Sequence, residues 1–133
     1  MAVRGIRGAI TADANTAEAI VAATTQLLDE LIRLNALQPE EIALAYFTVT
    51  TDLDAEYPAL AARRLGWVDV PLLCGLDMPV AEPNARAVPS CIRVLLLYNT
   101  ERGQNEMRSA YLRGAEAIRA DLEKTRQELR TPQ

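Results

Sequence analysis

The chain contains no histidine, one lysine and two cysteines among its 133 residues. Without histidine, a Ser-His-Asp triad, a His-assisted cysteine and a His-ligated metal are excluded. Lys124 lies in a charged segment, a poor place to desolvate a Schiff-base amine. Cys74 and Cys91 are too few for a disulfide scaffold or a four-cysteine zinc site. The inventory therefore leaves few routes to nucleophilic or metal-dependent catalysis.

Long apolar runs and basic clusters are also missing. No stretch approaches the ~18 apolar residues of a membrane span, and the first residues lack the apolar segment of a signal peptide. We therefore expect a cytoplasmic protein with reduced thiols and no membrane partner. The 18 acidic and 14 basic residues give a net charge of −4, so we do not expect nucleic acid as a partner.

The apolar patterns predict one mixed α/β domain. Strands are predicted over residues 2–11, 42–50, 68–74 and 91–98. A long helix is predicted from a cap at Asn15 or Thr16 to about residue 35, and a short one over 55–65, closed by Gly66. The prolines of residues 75–90 predict a loop, and a further helix is predicted from Asn105 onward. The expected total is about four strands and two or three helices.

Three arginines interrupt apolar strands or neighbour glycines: Arg7, Arg63 and Arg93. Burying a guanidinium is costly unless it meets an anion. Each arginine could pair with a carboxylate of the chain or lie at a strand edge. Taken together, with no lysine competing, they favour a clamp for a small dianion such as a dicarboxylate, because guanidinium binds carboxylates bidentately.

The cysteines and the acidic residues give weaker signals. Cys74 closes one apolar strand and Cys91 opens another, so a role as a small buried hydrophobe is favoured for both. No activator for a thiol nucleophile is evident. The carboxylates near loops show no spacing that pairs two of them as general acid and base. They are Asp52, Asp54, Glu56 and Asp77.

Five segments resemble the short mixed α/β class of chorismate mutase, which is distinct from the all-helical class. They are RGIRGAIT (4–11), DLDAEYPALAARRLGW (52–67), VPLLC (70–74), CIRVLLLYNT (91–100) and YLRGAEAIRADL (111–122). The RGIRGA opening, the later CIRV and a Tyr-Leu-Arg helix start form a specific combination in order along the chain. The resemblance implies an α+β fold, a mixed sheet with helices packed on it, in a trimeric pseudo-barrel. We expect the chorismate mutase domain to span 1–122, and the charged C-terminal tail over 123–133 to be mobile.

The resemblance implies an isomerase that converts chorismate to prephenate, the branch step of the shikimate pathway toward phenylalanine and tyrosine. This Claisen rearrangement needs no nucleophile, metal, cofactor or proton transfer. It needs a dicarboxylate held in a compact conformer, with positive charge where the breaking ether oxygen gains electron density. The resemblance also implies a homotrimer whose active sites lie between neighbouring subunits.

The resemblance assigns roles to individual residues. Arg93 is expected at the ether oxygen and Arg7 on a carboxylate, with Arg63 nearby. The expected catalytic residues are Arg93, Arg7, Asp77 and Cys74. The expected substrate-binding residues are Arg7, Tyr57, Arg63, Cys74, Arg93, Tyr111 and Ile118.

The chain departs from the family pattern at three positions. The family usually has a glutamate contacting the substrate hydroxyl where this chain has Asp77, which is one methylene shorter. A misplacement of about 1 Å can cost on the order of a hundredfold in rate, so Glu82 in the following loop is the alternative partner. Leu60 replaces a frequent lysine, and Leu73 replaces a polar residue before the cysteine.

Two other functions remain open from the residues. A trimeric α/β enzyme of the imine deaminase type would also hold a carboxylate with an arginine at a subunit interface. A non-catalytic binder of a small carboxylic acid would keep the arginines and lose the carboxylate that contacts the hydroxyl. The RGIRGA opening and the segment around Tyr111 favour the mutase.

Overall fold

The computed structural model describes residues 1–81, 83–84 and 86–130. Within them, five strands form one mixed sheet in the order β3-β2-β4-β1-β5. The strands are β1 (Ala2–Thr11), β2 (Ile42–Val49), β3 (Leu72–Leu76), β4 (Cys91–Thr100) and β5 (Ala110–Leu112). The helices are α1 (Ala17–Asn35), α2 (Ala59–Arg64) and α3 (Glu116–Arg130). The predicted α+β class, with helices packed on a mixed sheet, is confirmed.

Helix α1 packs on one face of the sheet and buries the main core. Thr16 caps the helix, because its hydroxyl accepts a hydrogen bond from the Ala19 amide at 3.1 Å. Leu27 and Leu31 project from α1 onto β1, and both are fully buried. A Cβ on Gly8 would lie 3.0 Å from each of these leucine side chains. Glycine at this position therefore lets the helix approach the strand closely.

The opposite face of the sheet is only partly covered, by α3. A smaller buried cluster forms there from Ala9, Cys91, Tyr111 and Ala115. Away from α3, apolar side chains on this face remain in contact with solvent. Val3, Leu73 and Leu95 are 52%, 65% and 40% exposed. Most of the space available for a ligand on the sheet is therefore on this second face.

Several predicted boundaries differ from the structure. The third strand begins at Leu72 and not at residue 68, because Pro71 cannot donate to the ladder and Val68 is 79% exposed. The short helix begins at Ala59, directly after Pro58, which occupies its cap. The fourth strand continues past residue 98 to Thr100, because its last residues pair with the start of β1.

The last predicted helix is present as α3, but its predicted start at Asn105 is wrong, and so is a helical start at Tyr111. Residues Ala110–Leu112 form β5, which pairs in parallel with Gly8–Ile10 of β1, and α3 begins only at Glu116. The edge of β1 supplies the backbone hydrogen bonds that make these residues a strand. Three residues are too few to show a strand pattern in the sequence. Arg113 then takes a left-handed conformation, with φ of 54°, before the chain turns into α3.

Helix α3 continues through the predicted boundary between residues 122 and 123 and reaches Arg130. The separate, mobile tail over 123–133 stays a prediction. In the part of the chain that the structure describes, no helix combines the length and apolar character needed to cross a membrane.

Asn35 positions the segment that leads into β5. It is fully buried, its amide nitrogen donates to the Arg108 carbonyl at 2.9 Å, and its amide oxygen accepts from the Arg108 N–H at 2.8 Å. Asn35→Ala would leave both backbone groups without these partners, at about 1–3 kcal/mol each. We expect the free energy of unfolding from urea titration to fall by about 2–5 kcal/mol.

Thr25→Ala is the matched control on the same helix. Among the described residues, its hydroxyl bonds only to the Val21 carbonyl one turn earlier, at 2.8 Å. We expect this variant to lose less than about 1 kcal/mol. A similarly small loss in Asn35→Ala would show that the Asn35 bridge does not hold this segment.

Candidate active site

The register of the sheet places the candidate residues in two neighbouring rows across its partly covered face. Cross-strand partners in a sheet project to the same side, so each row is a line of adjacent side chains. The first row is Leu73, Tyr46, Leu95 and Arg7. The second row is Gly75, Thr48, Arg93, Ala9 and Tyr111. Arg7 and Arg93 are thus neighbours on one face, one row apart.

A cavity of about 650 Å³ lies over these rows and beneath α3. Four of the predicted site residues line it, namely Arg7, Arg93, Tyr111 and Ile118. The strands supply both guanidinium groups, and α3 supplies the apolar Ile118 wall. This volume and mixed lining are typical of a small-molecule site.

Arg93 is held beside a carboxylate without being fully satisfied by it. Its Nε lies 3.1 Å from Oδ2 of Asp77, the residue that follows β3. This Nε is buried, yet it has no aligned hydrogen-bond acceptor among the described residues. Arg93 therefore does lie beside a carboxylate of the chain, one of the alternatives considered from the sequence, but in the described part of the chain the pair leaves its Nε without an aligned acceptor. The guanidinium still has donor capacity for an anion in the cavity.

Arg7 differs from Arg93 because no carboxylate accompanies it in the described residues. Its exposed side chain lines the cavity, and neither an ion pair nor a hydrogen bond to a described residue engages its guanidinium. Beside it, Tyr111 is 5% exposed, and the Arg119 guanidinium lies 5.8 Å from the centre of its ring. The cavity therefore holds an uncompensated positive charge next to a firmly packed tyrosine.

The remaining predicted residues line a different cavity. Tyr57, Arg63 and Cys74 surround a space of about 330 Å³ between α2 and β3, and this space shares no lining residue with the larger cavity in the described structure. Strand β3 is at one edge of the sheet. Within one chain, the sequence-predicted site is therefore divided into two groups.

The surroundings of Cys74 keep its thiol protonated near neutral pH. Burial raises the pKa of the Cys74 thiol, and the Ala59 backbone and the Arg63 charge oppose this rise only in part. Burial also raises the pKa of Cys91 to about 11. Both thiols thus act as neutral groups, and Cys74 is suited to contact a ligand but not to attack one.

Sequence analysis missed several residues around the larger cavity. Tyr46 and Thr48 project from β2 to the cavity, whereas the sequence of β2 predicts a strand that is buried throughout. Arg86 and Asp121 close the rim with an ion pair of 3.5 Å between Nε and Oδ2. Only the sheet register and the path of α3 bring these residues to the cavity. Glu82, the alternative to Asp77, lies outside the described residues.

The site has the character of an anion pocket. Arg7, Arg93 and Tyr111 line it, while the described residues contain no group of three acidic or cysteine side chains arranged to hold a metal ion. Guanidinium groups stabilise negative charge strongly where a bound ligand excludes the water that would screen them. The arrangement can bind a small carboxylic acid and stabilise charge that develops on an oxygen.

Comparisons with known proteins agree on one family. The family model described as chorismate mutase type I matches residues 3–122. The chain is 48% identical over 122 residues to the protein named chorismate mutase AroH of Thermus thermophilus, covering 91% of this chain and 97% of that one. It is 38% identical over 127 residues to chorismate mutase AroH of Bacillus subtilis, covering 95% and 97%. A solved chorismate mutase from Clostridium thermocellum has a TM-score of 0.80 at 41% identity, covering 84% of this chain and 96% of that one.

The raised pKa of the Cys74 thiol can be tested by its reactivity. We expect alkylation of Cys74 by iodoacetamide at pH 7 to be slower than that of an unperturbed cysteine, of which a few per cent is thiolate. The rate should rise with pH to a midpoint above that of a free cysteine. In Arg63→Ala this midpoint should move higher, because a charge that favours the thiolate has been removed. A midpoint at or below that of free cysteine would contradict this account.

Proposed function

The chain belongs to the type I chorismate mutase family and is a chorismate mutase, an isomerase, and we propose that it converts chorismate to prephenate in the cavity lined by Arg7 and Arg93. The observation that carries this assignment is the pair of neighbouring arginines on one sheet face, of which Arg7 lacks a carboxylate partner among the described residues. Chorismate is a dicarboxylate, and guanidinium groups are suited to bind it.

In the proposed mechanism, the protein acts by positioning and by charge. Arg7 binds one carboxylate, and the Tyr111 hydroxyl donates a hydrogen bond to a carboxylate oxygen. The apolar Ile118 wall favours the compact conformer in which the two reacting carbons meet. As the ether C–O bond breaks and the C–C bond forms, electron density builds on the ether oxygen. Arg93 stabilises that charge without needing to reorganise.

Asp77 is proposed to have two functions at this site. Its carboxylate holds Arg93 at 3.1 Å and so fixes the guanidinium over the cavity. Its second oxygen already accepts the Met78 N–H at 3.1 Å, which orients the group. We propose that the carboxylate also accepts the hydroxyl of the substrate, the role that glutamate usually fills in the family. The Asp77 N–H also donates to the Val49 carbonyl at 2.8 Å, so the pairing with β2 fixes the position from which the shorter side chain extends.

We further propose a homotrimer in which each active site forms between two subunits. Two observations support this assembly. Leu73 on the edge strand β3 and Leu95 at the centre of the sheet are exposed, and an apolar sheet face of this kind calls for a covering partner. The group of Tyr57, Arg63 and Cys74 lies at that same edge, separate from the larger cavity. A neighbouring copy would bring these residues to Arg7 and Arg93 and complete the site.

The other functions considered from the sequence are not favoured. The family match and the named relatives are chorismate mutases, which argues against both an imine deaminase-like enzyme and a non-catalytic binder. We retain the cytoplasm as the proposed location. Both cysteines are free thiols, as expected in a reducing compartment.

Arg93→Ala tests the catalytic assignment. We expect kcat for chorismate to fall by at least about a hundredfold to a thousandfold, because an electrostatic donor to the developing charge is lost. The measurement is the loss of chorismate ultraviolet absorbance, with prephenate identified as product. Arg33→Ala is the control, since Arg33 lies on α1, pairs with Glu30 and is on the other side of the sheet. Equal rates in the two folded variants would refute the role of Arg93.

Mixing two inactive variants tests whether subunits share a site. We expect Arg93→Ala and Arg63→Ala each to be poorly active, and their mixture to regain activity after reversible dissociation and reassembly. Random assembly should give about a quarter of the interfaces both intact arginines, and so roughly a quarter of the wild-type rate. Light scattering should give three times the chain mass of 14.6 kDa. A mixture no more active than the average of its components would contradict sharing.

A further inference from the structure

We propose that Tyr46 is an additional substrate-binding residue of this enzyme, and that Gly75 makes room for its ring. In this proposal the Tyr46 hydroxyl donates a hydrogen bond to a carboxylate oxygen of the bound substrate. The inference rests on the proposed function of the larger cavity, which Tyr46 lines. Neither the sequence patterns nor the resemblance assigns a role to this residue.

The position of Tyr46 in the sheet brings it close to Arg93. Tyr46 is directly opposite Leu95 on β4, and Thr48, two residues later, is directly opposite Arg93. Tyr46 and Arg93 are therefore diagonal neighbours on one face, about 7–8 Å apart along the sheet, within reach of long and aromatic side chains. The direct partner of Leu95 on its other side is Arg7. Tyr46 is thus diagonal to Arg93, and one strand, β4, separates it from Arg7.

Gly75 determines which way the tyrosine ring leans. Gly75 lies in the row of Arg93, opposite Thr48. A Cβ at Gly75 would be 2.3 Å from the Tyr46 hydroxyl oxygen and 3.2 Å from Cζ. The phenol therefore occupies the space that a side chain at position 75 would fill, so its hydroxyl lies over β3, with β2 between Gly75 and the backbone of Arg93. The Arg93 side chain reaches toward the end of this strand, since its Nε is 3.1 Å from Asp77, two residues after Gly75. A larger residue at 75 would push the hydroxyl away from this place.

The Tyr46 hydroxyl is free to serve a ligand. It has no hydrogen-bond partner among the described residues, and the half-buried ring faces the cavity. Tyr98 shows the contrasting case on the other face, where its hydroxyl accepts the Gln38 N–H at 3.0 Å and the side chain is 4% exposed. A phenol that stabilised the fold would be expected to bond as Tyr98 does.

Tyr46→Phe removes the hydroxyl and keeps the ring. A hydrogen bond to a carboxylate that stays charged throughout the reaction contributes equally to substrate and transition state. We therefore expect KM for chorismate to rise about tenfold with kcat unchanged and the thermal unfolding midpoint preserved. Tyr98→Phe is the matched control, in which the midpoint should fall and KM should stay the same. An unchanged KM in Tyr46→Phe would overturn the proposal.

Gly75→Ala tests the coupling between the two residues. In the wild-type background it should raise KM as Tyr46→Phe does, because the new methyl group displaces the hydroxyl. In a Tyr46→Leu background the space is open, and Gly75→Ala should change KM by less than about twofold. Equal effects of Gly75→Ala in the two backgrounds would contradict the role of Gly75.

The assay separates this inference from the proposed function. If Arg93→Ala lowers kcat and Tyr46→Phe leaves KM unchanged, the cavity is the active site and the Tyr46 inference alone is wrong. If neither variant changes the kinetics of an active enzyme, the assignment of the cavity itself is wrong.

Discussion

The site depends on the antiparallel pairing of β1 with β4. Ten consecutive residue pairs join the two strands, from Ala2 with Thr100 to Thr11 with Cys91. This register places Arg7 opposite Leu95 and Arg93 opposite Ala9, so both guanidinium groups project to the same face. A slip of one residue would turn one arginine into the core beneath α1 and expose an apolar neighbour. The cost of burying an unpaired guanidinium thus helps to fix the register that the chemistry needs.

The two faces of this sheet have different functions. The face beneath α1 is dry and closely packed, with Gly8 admitting the leucines of the helix. The other face is left incompletely covered, and it carries the arginines, the phenols and exposed leucines. A rigid sheet backed by a full core holds charged side chains in place without help from the substrate. This arrangement suits a reaction in which the protein supplies conformation and electrostatic stabilisation, for which histidine is not required.

Much of the fold could be predicted from local pattern, and the missed strand could not. The long strands and α1 carry strong apolar periodicity, and their existence and type are confirmed. Strand β5 has three residues and is held by distant partners, the edge of β1 and the side chain of Asn35. Such non-local support leaves no periodic signal, so the local pattern predicts the start of a helix there instead.

The candidate site could be predicted only as separate residues. Arginines in apolar strands are conspicuous, and Arg7 and Arg93 do line one cavity with Tyr111 and Ile118. Their catalytic roles remain predictions, as do those of Asp77 and Cys74. Tyr46 could not be found in this way, because a tyrosine in a run of β-formers looks like a core residue. Its place beside Arg93 follows from the pairing of three strands, and its lean follows from the missing side chain at Gly75.

The most direct test of the central claim is a crystal structure of the enzyme with prephenate bound. The account predicts that the carboxylates of the ligand contact Arg7 of one subunit, that the ligand lies against Arg93 of that subunit, and that Arg63 comes from a neighbouring copy. Prephenate bound away from Arg7 and Arg93, or enclosed by residues of a single chain, would contradict it.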